Sequence, residues 1–148
     1  MHVIQLLESS DTAKAGIIPF IRTERGIEML FMRSSNAKFG GTALMIAKGH
    51  VDDGETPEQA AVREGGEELG LIPSNFAQPP FIVCDQRVRG LATTYIMRIM
   101  AVEVKSKEDF GSFDHETAET VWLTGEEYAK VGRKSQLVFV QALLKQLS

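Results

Sequence analysis

The segment "REGGEELG", residues 63–70, places three carboxylates close together in the chain. If the segment is helical, Glu64, Glu67 and Glu68 stand at positions i, i+3 and i+4 and share one face. Two carboxylates about 4 Å apart repel each other by roughly 4 kcal/mol at an effective dielectric constant near 20. Such a cluster is tolerable when the side chains spread into water or when a cation such as Mg²⁺, which prefers oxygen ligands, lies between them. On charge pattern alone, both a solvated acidic face and a metal site remain open.

The same segment contains two adjacent glycines, Gly65 and Gly66, each of which costs roughly 1 kcal/mol in a helix interior relative to alanine. Because glycine has no side chain, it allows a backbone or a ligand to come close. Ala60 and Ala61 are also small. We therefore expect this helix to pack tightly against a neighbouring element and to hold its carboxylates rigidly near a strand or a substrate.

Helix boundaries are encoded around the acidic segment. Thr56 is placed to cap the helix, Pro57 suits its first position, and Gln59 completes a capping box with Thr56. Gly70 is placed to end the helix. The sequence therefore predicts one helix over "TPEQAAVREGGEELG".

The wider spacing of the acidic residues is that of a known motif. From Gly49 the chain reads "GHVDDGETPEQAAVREGGEELGL", with five residues between Gly49 and Glu55 and seven between Glu55 and Arg63. This resembles the Nudix box, G-x5-E-x7-R-E-U-x-E-E-x-G-U, where U is aliphatic, and all of the fixed positions match. At ordinary residue usage, a chance match in this chain has a probability below about one in a million. One position departs from the pattern: Gly65 stands where the family usually has an aliphatic residue or alanine, which we expect to loosen the packing under the helix.

The resemblance implies a hydrolase that cleaves a nucleoside diphosphate linked to another group, with Mg²⁺ or Mn²⁺ held by the box. Carried onto this sequence, it makes Glu64, Glu67 and Glu68 the metal ligands and the Gly49 carbonyl a further one. Glu67 and Glu68 are also candidates for the base that deprotonates water. Arg63 would orient a glutamate through a bidentate contact. Glu55 would bind metal through water or pair with Arg63.

Residues at and beyond the box resemble one branch of the family, the diadenosine polyphosphate hydrolases. In that branch the lysine and histidine of "KGH", here Lys48 and His50, contact the polyphosphate chain. The branch usually has proline where this chain has Ala47. Downstream, "DHETAETVWL" (114–123) resembles the branch's His-Glu segment, whose glutamate, here Glu116, supplies a further metal ligand or the base.

Other substrates of the same family remain open. An ADP-ribose or nucleotide-sugar pyrophosphatase is a close alternative, although Gln86 lies where typical ADP-ribose enzymes have a proline. RNA-cap hydrolysis is a third candidate, and a non-catalytic nucleotide-binding module would be expected to lose box glutamates that this chain keeps. Residues that could contact phosphate or adenine from loops or strands near the cleft are Lys38, Phe39, Arg87, Arg89 and Tyr95.

Composition limits the class of protein. The 148 residues, of which 43% are hydrophobic, are enough for a single domain over 1–148 with a real core. The net charge of −4 argues against non-specific nucleic-acid binding. The lone Cys84 cannot form an internal disulfide and fits a reducing compartment. With no membrane-length apolar run and no signal-peptide pattern, we expect a cytoplasmic monomer or homodimer that acts on a small nucleotide.

The order of elements completes the expectation. Strands are predicted over 13–21, 26–32, 43–49, 81–85, 93–104 and 119–123, the first with an edge position or a bulge at Pro19. One or two helices are predicted in the tail, the first capped by Thr124 with Glu127. Strands, helix, strands and helix in this order indicate a mixed α/β sheet with helices packed on it. The family resemblance implies the same arrangement as a Nudix-type α/β/α sandwich.

Overall fold

The chain alternates strands and helices in the order expected from its sequence. The structure, a computed structural model, describes residues 12–36, 42–91 and 93–148. The strands are β1 (Thr12–Thr23), β2 (Gly26–Ser34), β3 (Ala47–His50), β4 (Phe81–Arg89), β5 (Thr94–Glu103) and β6 (Thr117–Thr124). The α-helices are α1 (Pro57–Leu69), α2 (Gly125–Val131) and α3 (Leu137–Leu147).

Strand β1 organises the sheet because it contacts three other strands. One side of β1 pairs in parallel with β5 over almost its whole length. The other side is divided, with β3 antiparallel to 14–17 and β2 antiparallel to 20–23. β6 continues the sheet beyond β2, and β4 continues it beyond β5. β1 and β2 form a hairpin, and the predicted mixed sheet is confirmed.

Pro19 does not lie on an edge strand, so that expectation is wrong. β1 is central, and Pro19 is in register with Val102 of β5. On the other side of β1, pairing with β3 ends at Ile17 and pairing with β2 begins at Phe20. Proline cannot donate a backbone hydrogen bond. It is tolerated here because it falls between the two antiparallel partners.

Helices cover both faces of the sheet. Successive side chains of a strand point to opposite faces, and β1 shows this clearly. Ala15 and Ile17 pack into a buried cluster with α1, whereas Ile18 and Phe20 pack into a second cluster with α2 and α3. The predicted α/β/α sandwich is confirmed by these two layers.

Helix α1 begins and ends as the sequence predicts. The Thr56 side chain accepts from the Gln59 N–H at 3.1 Å, and the Gln59 side chain accepts from the Thr56 N–H at 2.9 Å. Gly70 adopts the left-handed conformation with φ of 73°, which favours glycine. Thr124 and Glu127 form a second capping box at the start of α2. Local sequence therefore determines both helix entries.

Gly65 brings α1 into direct contact with the sheet. A Cβ atom at this position would lie 2.8 Å from Cγ2 of Ile17 and 3.0 Å from Cδ2 of Leu71. The expectation that Gly65 loosens the packing under the helix is therefore wrong. Ile17 and Leu71 already fill the space that a side chain at position 65 would occupy.

We predict that Gly65→Ala destabilises the protein by about 1 kcal/mol, because overpacking against β-branched Ile17 exceeds the gain in helix propensity. In an Ile17→Ala background the Cγ2 methyl is absent, so the same substitution should become neutral or stabilising. Urea unfolding of the four proteins in this double-mutant cycle measures the coupling.

Gly66→Ala is the matched control for helix propensity, since its nearest contact would be the Leu71 carbonyl oxygen at 3.3 Å. It should be more stable than Gly65→Ala. Equal effects of Gly65→Ala in both backgrounds would show that Ile17 does not set the distance between helix and strand.

Candidate active site

Gly49 lies directly against the carboxylate of Glu64. Gly49 belongs to β3, which leads through a short loop into α1, so the two residues meet where strand and helix cross. A Cβ atom at Gly49 would overlap the Glu64 carboxyl group, lying 2.6 Å from its Oε2. Glu64 is only 8% exposed. The glycine of the box is thus required because the strand backbone and a buried carboxylate share this space.

Glu68 is the second carboxyl group of the buried pair. One of its oxygens accepts the backbone N–H of Lys48 at 3.2 Å. Burial raises the pKa of Glu68 well above its ordinary value, and contact with Glu64 raises it further through hydrogen bonding and charge. The backbone N–H and the charge of Lys48 oppose this rise but are weaker. Burial and the neighbouring Glu64 therefore both oppose ionisation of Glu68.

Arg63 binds Glu64 of the pair and Glu55, which lies just before α1. Its guanidinium donates to both carboxylate oxygens of Glu55, at 2.8 and 3.0 Å, and to Glu64 at 2.8 Å. It also donates to the His50 carbonyl at 2.9 Å. The pKa of Arg63 is raised chiefly by Glu55, and the pKa of Glu55 is lowered chiefly by Arg63. Of the two roles considered for Glu55, the structure shows the pairing with Arg63.

Glu67 is the most solvent-accessible box glutamate on α1. Its side chain is 46% exposed and lies 3.4 Å from the Arg63 guanidinium. It is not among the residues that line the cavity beside Glu68. Its exposed carboxylate accepts from Arg63, and its backbone carbonyl accepts the N–H of Asp114 at 2.7 Å.

The segment that carries Glu116 is bound to the end of α1. Besides the contact to Glu67, the Gly111 N–H donates to the Gly70 carbonyl at 2.7 Å. The Thr117 hydroxyl donates to the Glu68 carbonyl at 2.9 Å. These bonds satisfy carbonyls that a helix end leaves unpaired. They also bring the exposed Glu116 to the cavity that Glu68 lines.

A cavity of about 870 Å³ unites several of the predicted residues. Those on its wall are Lys48, Gly49, His50, Glu68 and Glu116. Arg63 and Glu64 lie behind this wall and support it through the contacts described above. The remaining lining residues are Lys14, Met32, Ser34, Ser35, Asn36, Met45, Ile46, His115 and Arg133.

Other candidates lie elsewhere. Tyr95 is half-buried on β5 against the core, with the Lys14 ammonium 5.3 Å from its ring centre, and does not line the cavity. Arg87 and Arg89 are exposed on β4 and do not line it either. Lys38 and Phe39 lie outside the described residues.

Sequence reasoning missed two basic residues of the cavity, Lys14 and Arg133. Lys14 lies opposite His50 in the pairing of β1 with β3. The Arg133 N–H donates to the Leu44 carbonyl at 2.8 Å, just before β3. Together with burial, which is the largest cause, these two charges lower the pKa of Lys48. Neither residue belongs to a motif, so only the pairing of distant segments reveals them.

The donor atoms of the site suit a hard divalent cation. Glu64 and Glu68 are carboxyl groups buried in contact with each other, an arrangement that a cation would relieve. Mg²⁺ usually keeps waters or phosphate oxygens in its shell and so requires few protein ligands. Across residues 12–36, 42–91 and 93–148, no group of three or more His, Cys, Asp or Glu side chains is already arranged for a metal. The fit to the ion rests instead on the oxygen chemistry of the Glu64 and Glu68 carboxyl groups, which lie in contact with each other.

Comparison with known proteins assigns the family. The family model described as NUDIX domain matches residues 12–143, and the chain therefore belongs to the Nudix family. The family predicted from the box is confirmed. A Rhodococcus erythropolis protein named as an uncharacterized Nudix hydrolase is 44% identical over 62 residues, which are 40% of this chain and 32% of that protein. The match thus spans about a third of that relative's length, and its name agrees with the predicted hydrolase class.

Solved structures share the fold over most of the chain. An Ap4A hydrolase of C. elegans, in a binary complex, is 21% identical and has a TM-score of 0.72, covering 90% of this chain and 96% of that one. The NUDIX domain of Shewanella oneidensis NrtR, complexed with ADP ribose, is 12% identical with a TM-score of 0.74, covering 93% and 89%. At these identities the likeness establishes the fold.

Among the described residues, none of the helices has the length and apolar character needed to cross a membrane.

We predict that Gly49→Ala displaces the Glu64 carboxylate and weakens Mn²⁺ binding. The added methyl group should cost about 1–3 kcal/mol of stability through overpacking. In a Glu64→Ala background there is room for the methyl group, so the stability cost should disappear. Calorimetric titration with Mn²⁺ and urea unfolding measure the two effects. Wild-type Mn²⁺ affinity in Gly49→Ala would contradict the placement of Glu64 at the metal.

The raised pKa of Glu68 predicts how the metal-free protein responds to pH. Because folding favours the protonated form, ionisation of Glu68 opposes folding. The stabilisation of the fold by protonated Glu68 is fully present below the ordinary glutamate pKa. It is lost as the pH rises toward the raised pKa of Glu68. Glu68→Gln stays neutral, so in EDTA its stability advantage over the wild type should grow from pH 5 to pH 8. Urea unfolding across this range checks the trend, and an advantage that is constant with pH would contradict it.

Proposed function

We propose that this chain is a single Nudix domain over 1–148 that hydrolyses dinucleoside polyphosphates, such as diadenosine tri- or tetraphosphate, by attack of water on phosphorus. One observation carries the proposal: a carboxyl group of the buried acidic pair, Glu68, lines the same cavity as Lys48 and His50. Anhydride hydrolysis needs both negative groups that hold a cation and positive groups that hold phosphates. The fold shared with the C. elegans Ap4A hydrolase is consistent with this substrate class.

The metal ligands would be Glu64, Glu68 and, after reorientation, Glu67, with the Gly49 carbonyl as a further ligand. When bound, Mg²⁺ or Mn²⁺ would neutralise phosphate charge and lower the pKa of water. Arg63 keeps Glu64 in place through their hydrogen bond at 2.8 Å.

Three carboxylates are candidates for accepting the proton of the attacking water. Glu68 and Glu116 line the cavity, and Glu67 lies next to it on the exposed side of α1. A base must come within hydrogen-bonding reach of the water it deprotonates. Glu116 is solvent-exposed while its segment is fixed to α1, so it meets this need without breaking a contact in the buried pair.

Phosphate binding would fall to Lys48 and His50, which the cavity places beside Glu68. Tyr95, predicted as a substrate contact, would act from outside the cavity wall through Lys14. We also propose a cytoplasmic location, a small-molecule nucleotide as the partner, and a monomer or homodimer.

A second candidate is an ADP-ribose or nucleotide-sugar pyrophosphatase. The observation that favours it is the shared fold with a NUDIX domain complexed with ADP ribose. RNA-cap hydrolysis uses the same chemistry but is disfavoured by the net charge of −4. A non-catalytic nucleotide-binding module is the weakest candidate, because all box glutamates are present.

Product analysis with Mg²⁺ tests the proposal. Diadenosine tri- and tetraphosphate, ADP-ribose and a capped RNA are offered side by side in ¹⁸O-labelled water. We expect the diadenosine compounds to be cleaved with the highest kcat/KM and the label to identify the phosphorus attacked. Preference for ADP-ribose would support a Nudix hydrolase whose substrate is ADP-ribose rather than a dinucleoside polyphosphate. No turnover of any compound would favour the non-catalytic module.

We expect Glu68→Gln to fold normally and to lower turnover by orders of magnitude, because it removes a charge without changing shape. Glu126→Gln on α2 is the matched control, since Glu126 is exposed and does not line the cavity. Unchanged turnover of Glu68→Gln would contradict the role of the acidic pair.

A further inference from the structure

Three basic side chains meet along β3 at the cavity. Arg133 binds the backbone at Leu44 before the strand begins, Lys48 belongs to the strand, and Lys14 lies opposite His50 at its end. All three side chains line the cavity that also contains Glu68. The cavity therefore has positive groups spread along one strand, in addition to the acidic pair at α1.

The three basic groups form no ion pair among the described residues. Among the described residues, no carboxylate forms an ion pair with Lys14, Lys48 or Arg133. Two arginines outside this group are bound to carboxylates instead. Arg63 binds four carboxylates, and Arg98 donates to both Asp85 and Glu58 at 2.8 Å. Three cations on one cavity wall, with no ion pair to a carboxylate among the described residues, suit a ligand that supplies the anion.

The arrangement around Lys48 is costly without such a ligand. A Cβ atom at Gly16 would lie 2.8 Å from Cβ of Lys48, so the glycine leaves room for the lysine stem against β1. Lys48 shares the wall of the cavity with Lys14 and Arg133. Like charges held together in a partly buried site are unfavourable unless an anion lies between them.

We propose that Lys14 and Arg133 form a second phosphate subsite, which holds phosphates beyond those at the acidic pair and selects chains of three or more phosphates. This inference rests on the proposed function for its catalytic consequence, although the binding it predicts does not need a metal. A carboxylate ligand carries one charge, whereas three cations match a ligand with several. The planar fork of arginine also suits phosphate oxygens. A pyrophosphate engaged at the acidic pair, as in ADP-ribose, would leave this subsite empty.

Binding of inorganic tripolyphosphate and pyrophosphate in EDTA tests the subsite directly. Calorimetry should show that the wild type prefers tripolyphosphate. Arg133→Gln and Lys14→Gln should each lower tripolyphosphate affinity by about tenfold or more, as expected for lost hydrogen bonds between charged groups. Arg133→Lys should retain part of the affinity, and thermal unfolding confirms that each variant is folded.

Lys134→Gln is the matched control, since Lys134 is exposed, adjacent to Arg133 and absent from the cavity wall. It should bind tripolyphosphate as the wild type does. An equal loss in Lys134→Gln would reduce the effect to net charge and overturn the subsite. Unchanged affinity in both Arg133→Gln and Lys14→Gln would also overturn it.

Kinetics with Mg²⁺ test the predicted selectivity. In Arg133→Gln, kcat/KM for diadenosine tetraphosphate should fall at least about tenfold, mainly through KM, with a smaller change for ADP-ribose. Equal losses for both substrates would overturn the selectivity. If the wild type cleaves neither compound, the proposed function fails, and the EDTA binding experiment still decides the subsite. In the binding assay, diadenosine tetraphosphate is compared with a 5′-triphosphorylated oligonucleotide. The comparison shows whether the subsite prefers the polyphosphate of a dinucleotide or that of an oligonucleotide.

Discussion

The contact between the Glu64 carboxylate and the backbone of Gly49 is the constraint on which the site depends. It fixes α1 against β3 at a distance that no side chain at position 49 would permit. Gly65, the next residue of α1, performs the same task where the helix meets Ile17 of β1. The helix is therefore held at two points on the sheet. Glu64 and Glu68 consequently have little freedom to move apart, although they repel each other when ionised.

Charge is compensated unevenly around this contact. On the loop side, Arg63 neutralises Glu55 and Glu64 and ties both to the His50 backbone. On the cavity side, Glu68 accepts the Lys48 N–H and is attracted by the Lys48 charge, while burial disfavours its ionised form. Glu68 and the three basic residues Lys14, Lys48 and Arg133 thus line one cavity. The proposed cation and phosphate chain would neutralise these groups within that one cavity.

Local spacing made the acidic part of the site readable from sequence. Thr56, Gln59 and Gly70 specify α1 through contacts that span only a few residues, and a helix with known ends fixes which carboxylates share a face. The family resemblance added Gly49 and Arg63, and the structure gives both a physical role.

The parts that escaped prediction depend on pairing between distant segments. Pro19 is central because β2 and β3 divide one side of β1, which no local pattern reveals. Lys14 and Arg133 reach the cavity only through strand register and a single backbone hydrogen bond to Leu44. Tyr95 is predicted as a substrate contact from a strand near the cleft, but its ring packs on the core and against Lys14. A lone lysine or arginine carries no spacing signal, so its function appears only after the sheet is assembled.

The segment from Gly111 to Thr117 shows why the acidic helix can tolerate its unfavourable residues. Hydrogen bonds from Gly111, Asp114 and Thr117 occupy carbonyls at the end of α1, where intrahelical partners are absent. The capping box supports the other end, and the sheet supports the middle. Stability supplied from outside the helix thus offsets two glycines and a repelling carboxylate pair inside it. Because the same hydrogen bonds hold Glu116 at the cavity, the contacts that stabilise α1 also complete the set of carboxylates proposed for catalysis.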